Sequence, residues 1–396
     1  MTSLIESGGV MTETKAMLPL ENGKDPVPKA KAKLAPLKIV KIVLVFLLLG
    51  LGFSLLSMSM VRSFWDKNVT VQTLATPQPC VEEETNLDRW IKPPPSLRHN
   101  MNDEELLWRA SLVPKVTKYP FKRVPKIAFM FLTRGPLPLS PLWDLFFRDH
   151  QGLYSIYVHT LPSYESDYPP TSVFHDRQIP SQVAEWGRMS ICDAERRLLA
   201  NALLDLSNER FVLLSESCIP VLNFSIVYKH LMESNHSFVG SFDDPGPHGR
   251  GRYHKSMWPE VGYSQWRKGS QWFEVNRELA VSIVQDRKYH PKFLKFCKPP
   301  CYVDEHYFPT MLSIEAPQRI ANRSITFVDW SRGGAHPATF GKHDITETFL
   351  KRIIEGRHTC LYNNQTSSLC FLFARKFAPS ALEPLLQFAP GLLGIG

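Results

Sequence analysis

Three groups of side chains in this chain are of types that could do chemistry. The first is acidic: Asp304 and Glu305 in YVDEHYFPTML (Tyr302–Leu312), Glu216 in the turn Ser215-Glu216-Ser217, and Asp243-Asp244 in SFDDPGP. A carboxylate can take a proton from a hydroxyl, and a D-x-D arrangement can hold a divalent ion on a diphosphate. The second is cationic: Arg357 in RHTC, and Arg375 and Lys376 in LFARKF. Arg and Lys both bind phosphate oxygens strongly. The third is aromatic, with Trp186 in Glu185-Trp186-Gly187-Arg188 and Trp330 in VDWSRGG. Each has a plainer reading. Glu305 could be a surface acid in a turn and Lys376 a solvated charge. Trp186 could be core. Asp243-Asp244 sits in a turn-forming composition, and Ser-Glu-Ser is a poor divalent site. Asp304 reads as a local hydrogen-bonding partner of Glu305, and His306 as a packed or capping histidine. The chain has no G-x-G-x-x-G, P-loop, G-x-S-x-G or H-E-x-x-H pattern, which disfavours a Rossmann dehydrogenase, a P-loop kinase, an ordinary esterase and a zincin.

The elements around these residues alternate. KIAFMFLT (Lys126–Thr133) and YSIYVHT (Tyr154–Thr160) are apolar runs of strand length, as in strands buried on both faces. Between them Ser140-Pro141 offers an N-cap and first-turn proline for a helix. Ser190–Leu206 opens S-x-x-D and carries apolar residues at helical spacing. FVLLSES (Phe211–Ser217) is a third strand, and SFVGSFDD (Ser237–Asp244) is expected to be a fourth. The reading is an α/β fold with a mixed, mostly parallel sheet flanked by helices. Ligands of such sheets sit beyond the carboxyl ends of the strands, so the residues after Thr133, Thr160, Leu214 and Phe242 are the places to look.

The order and spacing of KIAFMFLT, YSIYVHT, FVLLSESCIPV, YVDEHYFPTML and FLFARKF resemble the Core-2/I-branching β-1,6-N-acetylglucosaminyltransferases (glycosyltransferase family 14), most closely the plant branch, over roughly Lys126 to Phe377. The resemblance implies a GT-A-like fold, an inverting mechanism, Golgi residence and no metal cofactor, with a UDP-sugar as co-substrate. It implies that Glu305 is the catalytic base and that Arg357 and Lys376 bind the donor diphosphate. The Arg-to-Lys interval is shorter than in the animal enzymes, which makes Arg375 a stand-in for Arg357. Trp330 resembles an aromatic bordering the acceptor sugar, and Glu185 and Trp186 are candidate donor or acceptor contacts. The basic run Arg250, Arg252, Lys255 with Trp258 is either an acceptor-side loop or exposed surface. The donor sugar, N-acetylglucosamine or glucuronic acid, stays open. The alternative is a catalytically silent lumenal glycan-binding protein or scaffold on the same fold. A glycosidase would need two carboxyls across a cleft, and adjacent Asp304 and Glu305 do not provide them.

The remaining features concern location. Of 396 residues, Ile42 to Val61 form an uncharged apolar run, about 30 Å as a helix. Five lysines from Lys29 to Lys41 precede it, and Arg62 and Lys67 follow. The heavier basic flank predicts a cytosolic N-terminus and a lumenal C-terminus, hence single-pass type II topology; the Golgi membrane as its location is what the resemblance implies. The expected organisation is a disordered cytoplasmic tail (1–41), a transmembrane signal anchor (42–61), a Pro-rich lumenal stem (62–125) and a catalytic domain (126–396). Sequons for N-glycosylation at Asn68, Asn223, Asn235, Asn322 and Asn364 all follow the apolar run, as do all seven cysteines. Cys360–Cys370 and Cys297–Cys301 are the short-range disulfide candidates, and the odd count leaves a thiol over. The net charge of +8 is too dispersed for a nucleic-acid partner. A glycan or glycoprotein acceptor is expected, and a homodimer is compatible with such a tethered domain.

Overall fold

The computed structural model describes residues 37–68, 87, 91–113, 118–334, 336–356 and 359–396. The chain divides into two compact units, Met1–Glu83 and Glu84–Gly396. In the first, helix α1 (Leu37–Asn68) carries an apolar span from Lys41 to Arg62, long enough to cross a membrane. A single-pass anchor is what that helix suggests.

The second unit begins ahead of the sheet. Helix α2 (Asp103–Ala110) lies in the stretch read as a stem, yet it is part of the folded unit. Asn102 and Glu105 form a reciprocal capping box at its start, and Leu106 and Ala110 are buried. The sheet follows. Strand β1 (Lys126–Leu132) leads through helix α3 (Ser140–Phe147) to β2 (Tyr154–His159), and helix α4 (Met189–Leu203) leads to β3 (Asn208–Ser215). Both pairings with β1 are parallel, and Leu132 stands opposite His159 on one side and Ser215 on the other. The short strand β4 (Ile219–Pro220) and helix α5 (Phe224–Met232) come next.

Two expected helix starts differ in detail. Ser140 and Pro141 are the first two residues of α3, and Leu139 stands at the cap without a side-chain bond. Arg188 precedes α4, likewise without a capping bond, while Ser190 Oγ accepts the Glu185 amide instead. The expected fourth strand is different too. Ser237, Phe238 and Phe242 make isolated bridges. The sheet's fourth member is β5 (Glu274–Asn276), antiparallel to β3 and running into helix α6 (Arg277–Gln285).

Alternation along the strands divides the core in two. Ala128, Met130, Phe211 and Leu213 face the side covered by α2, α4 and α6, while Ile127, Phe129, Phe131, Val212 and Leu214 face α3 and α5. On the second face Phe129 meets Phe147 edge-on at 4.8 Å, with Trp143, Phe146 and Phe373 around it. Strand β6 (Thr326–Val328) pairs with the later strand Phe373–Arg375, which also pairs with β4, in a small second sheet. Disulfides Cys297–Cys301 and Cys360–Cys370 are formed, and Cys192 and Cys218 are buried thiols. Cys80 lies outside the described residues. The sequon residues Asn235, Asn322 and Asn364 are exposed. Asn223 caps α5 through its side chain, and a Cβ on Gly394 would lie 3.2 Å from its Nδ2. The C-terminal segment thus crowds the atom a glycan would occupy.

Candidate active site

A cleft of about 1680 Å³ opens beyond the carboxyl ends of β1, β2 and β3. Thr133 and Arg134 line it after β1, Thr160 after β2, Glu216 after β3, and Phe242 contributes from the irregular segment. These are the four places the sheet reading marked. Register explains the convergence, since the strands end level and release polar loops on one edge.

Glu305 lies in the wall, in a single 3₁₀ turn, Val303–Glu305. Gly269 donates its amide to the Glu305 carbonyl at 2.8 Å. Any Cβ on Gly269 would fall 1.8 Å from the Gly240 carbonyl oxygen, so only glycine permits this approach. The Glu305 side chain is about a quarter exposed, and Arg252 donates to its Oε2 at 2.9 Å, with Lys268 Nζ at 3.8 Å. Oε1 has no partner among the described residues. The carboxylate is therefore held at one oxygen and open at the other, an arrangement suited to accepting a proton.

Its neighbours are set differently. His306 is fully buried, stacked on Trp266 at 4.8 Å, and donates from Nδ1 to the Arg267 carbonyl. Burial first, with Arg252 assisting against a carbonyl bond that opposes it, pushes it down to about 4. Asp304 is buried, its Oδ1 has no hydrogen-bond partner, and burial together with Glu305 pushes its carboxyl up to about 6. The ordinary value is 3.8. Between these values the folded state binds the extra proton, so Asp304's contribution to stability declines as pH rises through roughly 4 to 6. The shift corresponds to roughly 2–3 kcal/mol. Asp304→Asn should then melt higher than the parent at pH 7.5 and lose that advantage at pH 4. An equal or lower melting temperature at pH 7.5 would show that the buried charge costs nothing.

Strand Phe373–Arg375 also contributes to the lining through Arg375. Arg375 lies 4.0 Å over the Trp272 ring, and its Nε is buried without a partner. Lys376 follows, half-buried. Burial, then Arg375, lowers its ammonium pKa below the ordinary lysine value. Phe377 N–H donates to the Ser217 carbonyl, which ties this strand's end to the turn after β3. The cleft is therefore lined by the Glu305 carboxylate and by the Arg375 and Lys376 cations.

Residues 127–354 match the Core-2/I-Branching enzyme family, more than half of the chain. The chain belongs to that family. It is 36% identical over 308 residues to Glycosyltransferase BC10 of Oryza sativa subsp. japonica, covering 67% of this chain and 76% of that protein. It is a glycosyltransferase of the Core-2/I-branching family.

The other expected site residues of this Core-2/I-branching chain are distributed as follows. Trp186 is 46% exposed on the cleft wall, 4.7 Å from Tyr302 and 5.2 Å from His336, rather than buried in the core. Trp330 is 51% exposed on the same wall. Glu185 does not join the wall; it is exposed and pairs with Arg188 at 3.5 Å. Arg357 lies outside the described residues. Asp243 is taken by Arg250, and Asp244 closes a turn by accepting Gly246 N–H at 2.8 Å. Lys255 and Trp258 are surface residues, whereas Arg252 reaches Glu305 and lies 4.7 Å over the Tyr302 ring. Tyr302 itself has φ of 51°, an uncommon setting for a bulky residue, and directly follows the loop closed by Cys297–Cys301. Lys268 escaped the sequence reading, and Arg134 was covered only as the position after Thr133, since neither lies in a motif.

Proposed function

We propose that the domain moves a sugar, N-acetylglucosamine or glucuronic acid, from a UDP-sugar to a hydroxyl of a glycan or glycoprotein, with inversion at the anomeric carbon. The observation that carries this reading is that Glu305 and Lys376 line one cleft. Glu305 removes the acceptor hydroxyl proton as that oxygen bonds to the anomeric carbon and the bond to the UDP oxygen breaks. Lys376 and Arg375 stabilise the charge gathering on the diphosphate, a task a divalent ion performs elsewhere. Arg357 is proposed as a further diphosphate ligand. Trp330 and Trp186 offer ring faces for sugar stacking.

Metal independence is part of the proposal. It is supported by the engagement of Asp243 and Asp244 in the turn, and by the lack, among the described residues, of any cluster of three or more metal-ligating side chains. The full chain in detergent should transfer sugar from one member of a UDP-sugar panel with EDTA present. Absolute dependence on Mn²⁺ would overturn the cationic assignment. We further propose Golgi residence with a lumenal catalytic domain, supported by the basic flank of α1 and the exposed sequons. Protease protection in sealed microsomes reads that orientation.

A further inference from the structure

Arg134 is the exposed cation at the end of β1, on the cleft wall. It makes no hydrogen bond or ion pair with the described residues. Its loop is held on both sides of it: Thr133 Oγ1 donates to the Gly135 carbonyl at 3.1 Å and accepts the Gly135 amide at 3.2 Å. The position is fixed relative to the other cations by strand register. Leu132 pairs with Ser215 at the last step of the β1–β3 register, so Arg134 and Ser217 each lie two residues past it, and the Ser217 carbonyl receives the amide of Phe377. Arg134 and Glu216 therefore follow neighbouring strands of the main sheet, Lys376 follows a strand of the second sheet, and all three line the same cleft. Arg134 is close enough for its charge to disfavour the Lys376 ammonium.

Arg375 and Lys376 both feel the Glu216 carboxylate, which offsets part of their charge. Arg134 adds a further positive charge to the same cleft.

We propose that Arg134 is a further diphosphate ligand, contributed from the end of β1 to the cleft that Arg375 and Lys376 line. This rests on the UDP-sugar reading above. A guanidinium with free donors binds phosphate oxygens in paired hydrogen bonds, where an ammonium acts as a point charge.

Calorimetric titration of the full chain in detergent with UDP and with uridine tests the assignment, using the parent protein, Arg134→Gln and Arg134→Lys. Arg134→Gln should weaken UDP about tenfold or more and leave uridine affinity unchanged, and Arg134→Lys should recover part of the loss. Unchanged UDP affinity in Arg134→Gln, with Lys376→Ala weakened, would overturn the role of Arg134 and leave the nucleotide-sugar reading standing. An equal loss for uridine would place Arg134 on the nucleoside and overturn the phosphate assignment. A parent protein that binds no UDP would remove both.

Discussion

Glu305→Gln is expected to lower sugar transfer by ~10²–10⁴-fold, the usual contribution of a positioned general base, while UDP affinity stays near that of the parent. The substitution keeps length and shape. The new amide oxygen can still accept from Arg252, whose Nη1 lies 2.9 Å from the present carboxylate oxygen. What is lost is the ability to take the acceptor proton. The two readouts separate chemistry from folding, because UDP titration reports an intact cleft. Near-parental turnover in Glu305→Gln would remove the base assignment, and loss of both turnover and UDP binding would recast Glu305 as a structural anchor for Arg252 and Lys268.

Lys376→Ala carries the second large effect, with the opposite signature. A hydrogen bond to a charged group contributes about 1.5–3 kcal/mol, so UDP should bind roughly ten- to a hundredfold more weakly. Turnover at saturating donor should also fall, because negative charge on the leaving diphosphate grows in the transition state and loses a stabilising partner. The lowered ammonium pKa, caused by burial and by Arg375, gives a further signature. A bound diphosphate anion relieves the repulsion, so UDP binding should draw a proton onto the site at alkaline pH, seen as a dependence of binding heat on buffer ionisation enthalpy. Lys376→Ala with parental UDP affinity would remove the phosphate assignment.

Much of the frame was legible because burial on both faces leaves a plain mark. KIAFMFL, YSIYVH and FVLL are apolar without alternation, and each is a parallel strand of the main sheet. The edge was harder to read. Glu274–Asn276 is three residues, two of them polar, and nothing in its pattern marks a strand, whereas Ser237–Asp244 has strand composition but bridges to separate partners. Of the residues named from motifs, Glu305, Lys376, Trp186 and Trp330 line the cleft. Arg252 and Lys268 act on Glu305 from far along the chain, and only folding brings them there. Arg134 had one indirect signal, its place directly after the end of β1.

The contacts of α2 bear on where the chain could be cut without damaging the folded unit. Asp103 at its first turn receives two hydrogen bonds from Arg197, whose Nη1 lies 2.9 Å from His159 Nε2, and His159 is on the cleft wall. Burial, then Arg197, pushes His159 down to about 3, so the imidazole stays neutral and Asp103 is the counter-charge for the guanidinium. Proteolytic release that cut after Ala110 would strand a buried cation beside the cleft. A fragment that keeps this ion pair must therefore begin at or before Asn102.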